Sequence, residues 1–423
     1  MSLCRSRREL APGVFFSEIR DNRFKTNRVS VNLFTQLSKE DASANAVLPM
    51  ILTQSCAAYP DLTKMGLRLN ELYGAGLDGD IRKLGDAQVL NISCGSIDDS
   101  FALEGENIAE DCARLIADCL FHPLLEKGAF AEGPFTLERQ NLVDTIEGEI
   151  NEKRLYTIQR SLQLLYADEP AGVSRYGNVK SASALTPQKA YAAYETLLRS
   201  ARVEIIFVGC SSGEAAERVF TDAFRNADRS GLLPSATKRS SPKAALREET
   251  ERFDVTQSKM ALGFKTSCEN QSALRLMTAL YGSTPTSKLF MNVREKLSLC
   301  YYCTAQFDRF KGSVLVDCGV ENQNISKARE EILRQLDAVK SGDFTDDEIR
   351  NSVMSLTNSY RSLGDSPGGM EYWHLSQSYE GTDFSPEEQG EALRRVTKDE
   401  IIEAANSLTL DTVYVLTGKE GQA

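Results

Sequence analysis

Few side chains in this sequence have both the type and the spacing that chemistry requires. Only two histidines occur, His122 and His374, which removes most imidazole-based metal and triad chemistries at once. His122 precedes Pro123 at a helix end, and His374 follows Trp373 in a helix-like stretch after the turn Pro367-Gly-Gly369; both read as capping or surface residues. No G-x-S-x-G elbow is present. Cys300-Tyr-Tyr-Cys303 has the C-x-x-C spacing of redox and zinc motifs, but residues 297–304 read as extended. In a strand, residues three apart point to opposite faces, so the two thiols are not expected to share a ligand or close a bond. No second C-x-x-C completes a four-cysteine zinc site. Gly282-Ser-Thr-Pro-Thr-Ser-Lys288 lacks the second glycine of a phosphate loop and carries Pro285 where an amide would face phosphate, so it reads as a helix start. Leu72-Tyr-Gly-Ala-Gly76 reads as a turn before a strand.

One segment suits binding. Residues 287–302 run from an amphipathic helix carrying Arg294 into a strand carrying Tyr301. A guanidinium offers planar donors to a peptide carbonyl or carboxylate, and a phenol adds a donor with an apolar face. Together they would suit an extended peptide laid against a sheet. Taken alone, the two residues fit a surface arginine and a packed tyrosine more simply.

The elements that must position these groups are readable from periodicity. Residues 27–35 alternate Val29, Val31 and Leu33 with polar neighbours, as a half-buried strand does. Residues 42–54 and 63–73 read as two helices split by Tyr59-Pro60-Asp61, residues 89–95 as a strand, and residues 110–120 as a helix with Cys112, Leu115, Ile116 and Cys119 on one face. Residues 130–166 read as one long helix or two. A unit then recurs: Thr186 caps a helix leading to a strand that ends at Gly209, and Thr397 caps another leading to Gly418. Gly128-Ala-Phe130 and Gly342-Asp-Phe344 precede long helices in the two copies, and residues 89–95 resemble 314–319. The repeat offset is about half the chain. Residues 225–248, rich in Ser, Pro and basic side chains, read as a linker. The organisation expected is therefore 1–224, a linker 225–248, and 249–423. Each half is an α+β layer with mainly antiparallel strands and helices on one face.

Composition narrows the function class. The 423 residues hold 49 Lys+Arg against 60 Asp+Glu, a net charge of −11, and so acidic a surface repels phosphate backbones. Nucleic acid is not an expected partner. With 41% apolar and 26% charged residues the chain is an ordinary globular one. No secretory signal is visible, and the longest apolar run, residues 47–52, is far too short to span a bilayer. Ten cysteines without framework spacing suit reduced thiols and a cytoplasmic location.

The order of strand, helix, Tyr59-Pro60 and Leu69-Asn-Glu-Leu-Tyr-Gly74, then Ser287-Lys-Leu-Phe290, Val293-Arg-Glu-Lys296, Leu299 and Tyr301, closing on Leu410-Asp-Thr-Val-Tyr-Val-Leu-Thr-Gly-Lys-Glu-Gly421, resembles the M16 metallopeptidase family of pitrilysin, insulinase and mitochondrial processing peptidase. The resemblance covers nearly the whole chain. Val293-Arg-Glu-Lys296 and the closing segment resemble its non-peptidase bacterial branch, which is associated with 5-aminopentanol modification of translation elongation factor P. The resemblance implies two homologous LuxS/MPP-like metallohydrolase-type domains arranged as a clam-shell. Active members carry the zinc motif H-x-x-E-H on the first helix. Counting back from Ser55 places it on Ala46-Val-Leu-Pro-Met50, so Ala46 and Met50 replace the histidines and Pro49 the glutamate. The family's third ligand is a later Glu; Glu138, Glu147 and Glu149 lie near, but counting from Arg139 puts Thr145 at that position. Zinc needs N, S or carboxylate donors, and hydrolysis needs a base for the bound water. The resemblance therefore implies no metal, no cofactor and no catalysis.

The family's substrate-binding Arg and Tyr, seven residues apart, fall on Arg294 and Tyr301. In two-chain members, one chain holds the zinc and the other contributes this pair or the facing wall of the chamber. The expectation is a non-catalytic, peptide-binding partner in a heterodimer with a zinc-bearing M16 homologue. Its substrate would be a peptide or small protein. The alternative is a stand-alone binding scaffold or chaperone.

Overall fold

A computed structural model describes residues 4–225, 227–232, 237–243 and 245–418. Parts of the expected linker and the closing residues 419–421 lie outside them. By contacts the chain divides into two compact units, and neither is a contiguous half of the sequence. The first comprises Met1–Glu147, Val173–Ala236 and Gly364–Thr382; the second comprises Gly148–Gly172, Thr237–Leu363 and Asp383–Ala423. The halves 1–224 and 249–423 thus each give one helix to the unit built mainly from the other.

The first unit is a six-stranded sheet of β1 (Cys4–Ala11), β2 (Val14–Arg20), β3 (Thr26–Gln36), β4 (Gly76–Leu84), β5 (Ala87–Ile97) and β8 (Arg202–Gly209), in the order β1-β2-β8-β3-β5-β4. Only β2 and β8 pair in parallel. The register sets Val31 of β3 opposite both Ile92 and Ile205. Helices α1 (Ala42–Gln54) and α3 (Ile108–Phe121) cover one face of this sheet. Around them stand α2 (Leu62–Glu71), α4 (Glu132–Gly148), α6 (Val179–Ser183), α7 (Pro187–Ser200) and α8 (Glu214–Arg225), with the two-residue strands β6 (Leu125–Glu126) and β7 (Ala129–Phe130) between α3 and α4.

The strand expected to be half-buried is buried on both faces. Val29, Val31 and Leu33 join the main core cluster. Ser30 and Asn32, on the opposite face, are also fully buried, because α12 (Pro367–Glu380) packs on β3 and β8. That interface is polar. Glu371 of α12, 1% exposed, pairs with Arg28 and Arg82 and accepts a hydrogen bond from Asn91 Nδ2 at 3.3 Å. Glu204 beside it binds Arg7 and Arg202, each at 2.7 Å. The expectation of helices on one face only is therefore corrected. His374 is corrected with it: as part of α12 it is 4% exposed, whereas His122 caps α3 as expected.

The second unit repeats the plan. Strands β9 (Arg247–Phe253), β10 (Ser258–Thr266), β11 (Cys300–Asp308), β12 (Ser313–Val320) and β13 (Leu408–Gly418) run in the order β11-β12-β10-β13-β9, antiparallel except β13 with β9. Its helices are α9 (Gln271–Thr278), α10 (Ile325–Lys340), α11 (Asp346–Leu363), α13 (Pro386–Arg394) and α14 (Lys398–Asn406). The borrowed helix is α5 (Lys153–Leu165), which packs on β10 and β13. It docks through charges as α12 does: Arg154 on Asp317 at 2.6 Å, and Arg160 on Glu249 and Glu251 at 2.7 Å each. The repeat is also local. Thr186 and Thr397 both cap their helices by accepting the amide three residues on, and Gly128 and Gly342 share a positive φ of 79° and 78°.

The segment read as a linker is pinned where it is described. Lys243 donates its amide to Asp411 at 2.7 Å, and Ser240 donates to Glu169 at 2.5 Å. Arg247 and Glu248, its last residues, already belong to β9.

Candidate functional site

Helix α1 is where the sequence resemblance would place the zinc motif, on Ala46 to Met50. Here the helix is largely apolar: Ala46 is fully buried, Pro49 is buried and Met50 is partly so. Pro49 removes an amide from mid-helix, where its ring also crowds the carbonyl of Asn45. The helix nevertheless runs on to Gln54, held from outside. Its backbone presses on β4, where an added Cβ at Gly79 would stand 2.4 Å from the Pro49 carbonyl oxygen. Beneath Pro49 lies an apolar cavity of about 10 Å³, lined by Leu48, Leu52, Leu90 and Tyr194 among others. Thr145, at the position of the third ligand, is exposed on α4 and donates its hydroxyl to Asn141 O at 2.7 Å. Among the described residues no group of three or more His, Cys, Asp or Glu side chains could hold a metal ion.

Arg294 and Tyr301 are brought together. Both line one pocket of about 380 Å³, with Glu295, Ser298, Leu299, Cys300 and Glu321. Such a volume suits a few residues of peptide or a small ligand. The arrangement starts from two π-helical turns, Ala279–Ser283 and Leu289–Lys296, a geometry that widens a helix and often marks functional positions. Hydroxyls occupy carbonyls five residues back, Ser283 on Thr278 at 3.2 Å and Thr284 on Ala279 at 3.3 Å. Gly282 lets this turn touch β11, since a Cβ there would meet Ala305 Cβ and Leu289 Cδ1 at 2.7 Å. Residues 282–288 thus run from the end of the first π-helical turn to the start of the second. Leu289 and Val293, fully buried, fix the second turn to the core, which turns Arg294 outward.

In the pocket the Arg294 guanidinium lies 4.7 Å from the Phe290 ring centroid and 3.4 Å from Glu295. Ser298, at a φ of 49°, reverses the chain into β11. Tyr301 is 59% exposed and directs its hydroxyl at Glu321 Oε1, 3.4 Å away. The other Glu321 oxygen receives Gln323 and Asn324 at 3.2 and 3.3 Å. One guanidinium, one phenol and two carboxylates therefore line the same space, and β11 is an edge strand of its sheet. Such a site can grip a carbonyl or carboxylate through Arg294 while carboxylates accept an amine or amide. The sequence did not point to Glu321. It follows strand β12 without a motif, and only the hairpin register carries it to Tyr301.

The C-x-x-C expectation is corrected. The register slips between Cys300 and Tyr302, so Tyr301 is bulged out. Cys300 then stands opposite Val320 and Cys303 opposite Cys318, which puts both thiols on the buried face, at 7% and 4% exposure. The Cys303 thiol hydrogen-bonds to Cys300 and holds it below the usual thiol range, against the effect of burial and with help from the Arg294 charge.

Residues 184–356 match the sequence profile of the Peptidase M16 inactive domain. Over 410 residues, 95% of both chains, the sequence is 27% identical to a Bacillus subtilis protein named "Probable inactive metalloprotease YmfF". Its fold is similar to the crystal structure of a conserved protein from Enterococcus faecalis, with a TM-score of 0.90 and 26% identity over 99% of this chain and 100% of that one. A peptidase M16 inactive domain from Pseudomonas fluorescens shares the fold, with a TM-score of 0.83 and 16% identity over the full length of both.

Proposed function

We propose that this chain, a catalytically inactive member of the M16 peptidase family, binds peptide through Arg294 and Tyr301 as the non-catalytic partner of a zinc-bearing M16 homologue. One observation carries the reading: the two residues share a pocket at an edge strand, while the helix on which the family's zinc motif would fall is largely apolar and carries Pro49 at its middle. The start of β11, at the end of its sheet, borders the pocket, where an extended peptide would lie alongside it, and Arg294 offers a charged donor to its carbonyl or terminal carboxylate. The partner supplies zinc and the base. The association of this branch with elongation factor P modification comes with the resemblance, and it makes that factor the first ligand to try.

The test is to mix the purified chain with a zinc-bearing M16 homologue and follow complex formation and cleavage of a fluorogenic peptide. Loss of a charged hydrogen bond costs about 1.5–3 kcal/mol, so Arg294→Ala in the complex should weaken peptide capture by about tenfold or more. Absence of a complex, or unchanged cleavage with Arg294→Ala, contradicts the proposal. A stable homodimer that ignores every zinc-bearing homologue would favour the stand-alone scaffold instead.

A further inference from the structure

The β11–β12 hairpin gathers three thiols on one face. Cys303 faces Cys318 across the ladder, and the bulge at Tyr301 brings Cys300 to the position beside Cys303. Cys303 hydrogen-bonds to both neighbours, which with burial holds its proton on well above the usual thiol range. The three differ in access. Cys318 is fully buried, whereas Cys300 also lines the Arg294–Tyr301 pocket. The other two thiol pairs in contact, Cys56 with Cys119 and Cys94 with Cys112, lie in the core of the first unit at 0–1% exposure.

We propose that Cys300 is an oxidation site for hydroperoxides that enter this pocket, and that Cys303 is its resolving thiol. The Cys300 thiolate attacks one oxygen of hydrogen peroxide; an S–O bond forms, the O–O bond breaks, and the departing hydroxide takes a proton to become water. Cys303 sulfur then attacks the sulfenic sulfur. An S–S bond forms, the S–O bond breaks, and hydroxide leaves as water with the Cys303 proton. Two thiols are oxidised and one peroxide is reduced to two waters. Cys300 lines the pocket and its thiol is lowered, which makes it the attacking group; Cys303 must give up its proton as its sulfur attacks, and the departing hydroxide takes it. Cys210 and Cys268 are more exposed, but burial pushes both thiols up. Exposure and reactivity therefore rank the cysteines in different orders. This chemistry is independent of whether the pocket binds peptide.

The test treats the intact chain with one equivalent of hydrogen peroxide, blocks the remaining thiols and maps tryptic peptides by mass. Residues 297–309 form one tryptic peptide that contains both cysteines. It should escape blocking and weigh less by two hydrogens. In Cys303→Ser the reaction should stop at a sulfenic acid on Cys300 that dimedone traps. Should that variant not fold, the wild-type chain still decides: iodoacetamide should label Cys300 about tenfold faster than Cys318. Three results would overturn the proposal: Cys210 or Cys268 oxidises while 297–309 stays reduced, Cys303 bridges Cys318 and leaves Cys300 free, or Cys300 and Cys318 label at equal rates.

Discussion

Arg294 and Tyr301 project from a rigid base, and their own side chains contribute little to it. Leu289, Val293 and Cys300 hold the backbone on either side, whereas Tyr301 is mostly in solvent. Arg294→Ala and Tyr301→Phe should therefore leave the thermal midpoint nearly unchanged, within about 0.5 kcal/mol, while peptide capture falls; a large drop in the midpoint would show them to be structural. Glu169 is the opposite case. It sits between the buried ammonium groups of Lys265 and Lys311, at 2.9 and 2.7 Å. Burial alone would raise its carboxyl, but hydrogen bonds from Lys311, Ser240 and Lys265 outweigh that and hold it at about 2. A depressed carboxyl contributes stability that is complete above its unfolded value, near 4.3, and is lost as pH falls toward 2. Glu169→Gln should melt well below wild type at pH 7, by about 3 kcal/mol for a broken buried pair, and the gap should narrow in melts taken between pH 4.5 and 2. A gap that stays constant would show that the charge is not what matters. At this scale the helix–strand unit that carries Arg294 and Tyr301 was legible in the sequence, whereas their pairing as a site came only with the resemblance. Glu321 and the paired thiols were not legible, since a bulge is set by the partner strand and leaves no mark in a single segment.

Two helix contacts decide how the elements are held. On α12, buried Glu371 neutralises Arg28 and Arg82, whose side chains are 21% and 20% exposed. Glu371→Ala would strand two guanidinium groups there, and it should cost about 3–5 kcal/mol in chemical denaturation; a change below 1 kcal/mol would mean that water reaches the interface. On β4, Gly79 lies against the α1 backbone, which has no side chain to swing aside. Gly79→Ala should destabilise by about 1–3 kcal/mol, read from the same denaturation midpoint, and no change would mean that α1 shifts freely. Long amphipathic helices were readable because their apolar residues recur at helical spacing, and strand β3 because apolar and polar residues alternate along it, although both its faces are buried. The strands β1, β2, β9 and β10 were not read, and β4 was read only as the strand after the turn at residues 72–76, without bounds. β4 carries two glycines and alternating charges, β9 is mostly Arg and Glu, and β10 is buried on both faces and so lacks alternation. The second face of β3 was hidden for a related reason: a helix some 340 residues away along the chain covers it, through partners such as Arg28 and Glu371.

For the whole molecule, the exchange of α5 and α12 binds the two halves of the sequence into one folding problem. Fragments 1–224 and 249–423, expressed separately, would each leave a charged sheet face without its helix. Neither should show the cooperative melt of the intact chain; a sharp transition in either alone would show that the borrowed helix is dispensable. What most needs testing is the proposed division of labour between this chain and a metal-bearing one. The most direct measurement is hydrolysis of a quenched fluorogenic peptide by the purified chain alone, by a zinc-bearing M16 homologue alone, and by their mixture, with the zinc content of each measured alongside. The account predicts no zinc and no hydrolysis from this chain alone, and faster, chelator-sensitive cleavage in the mixture than in the homologue alone. Stoichiometric zinc with unaided cleavage by this chain would contradict it.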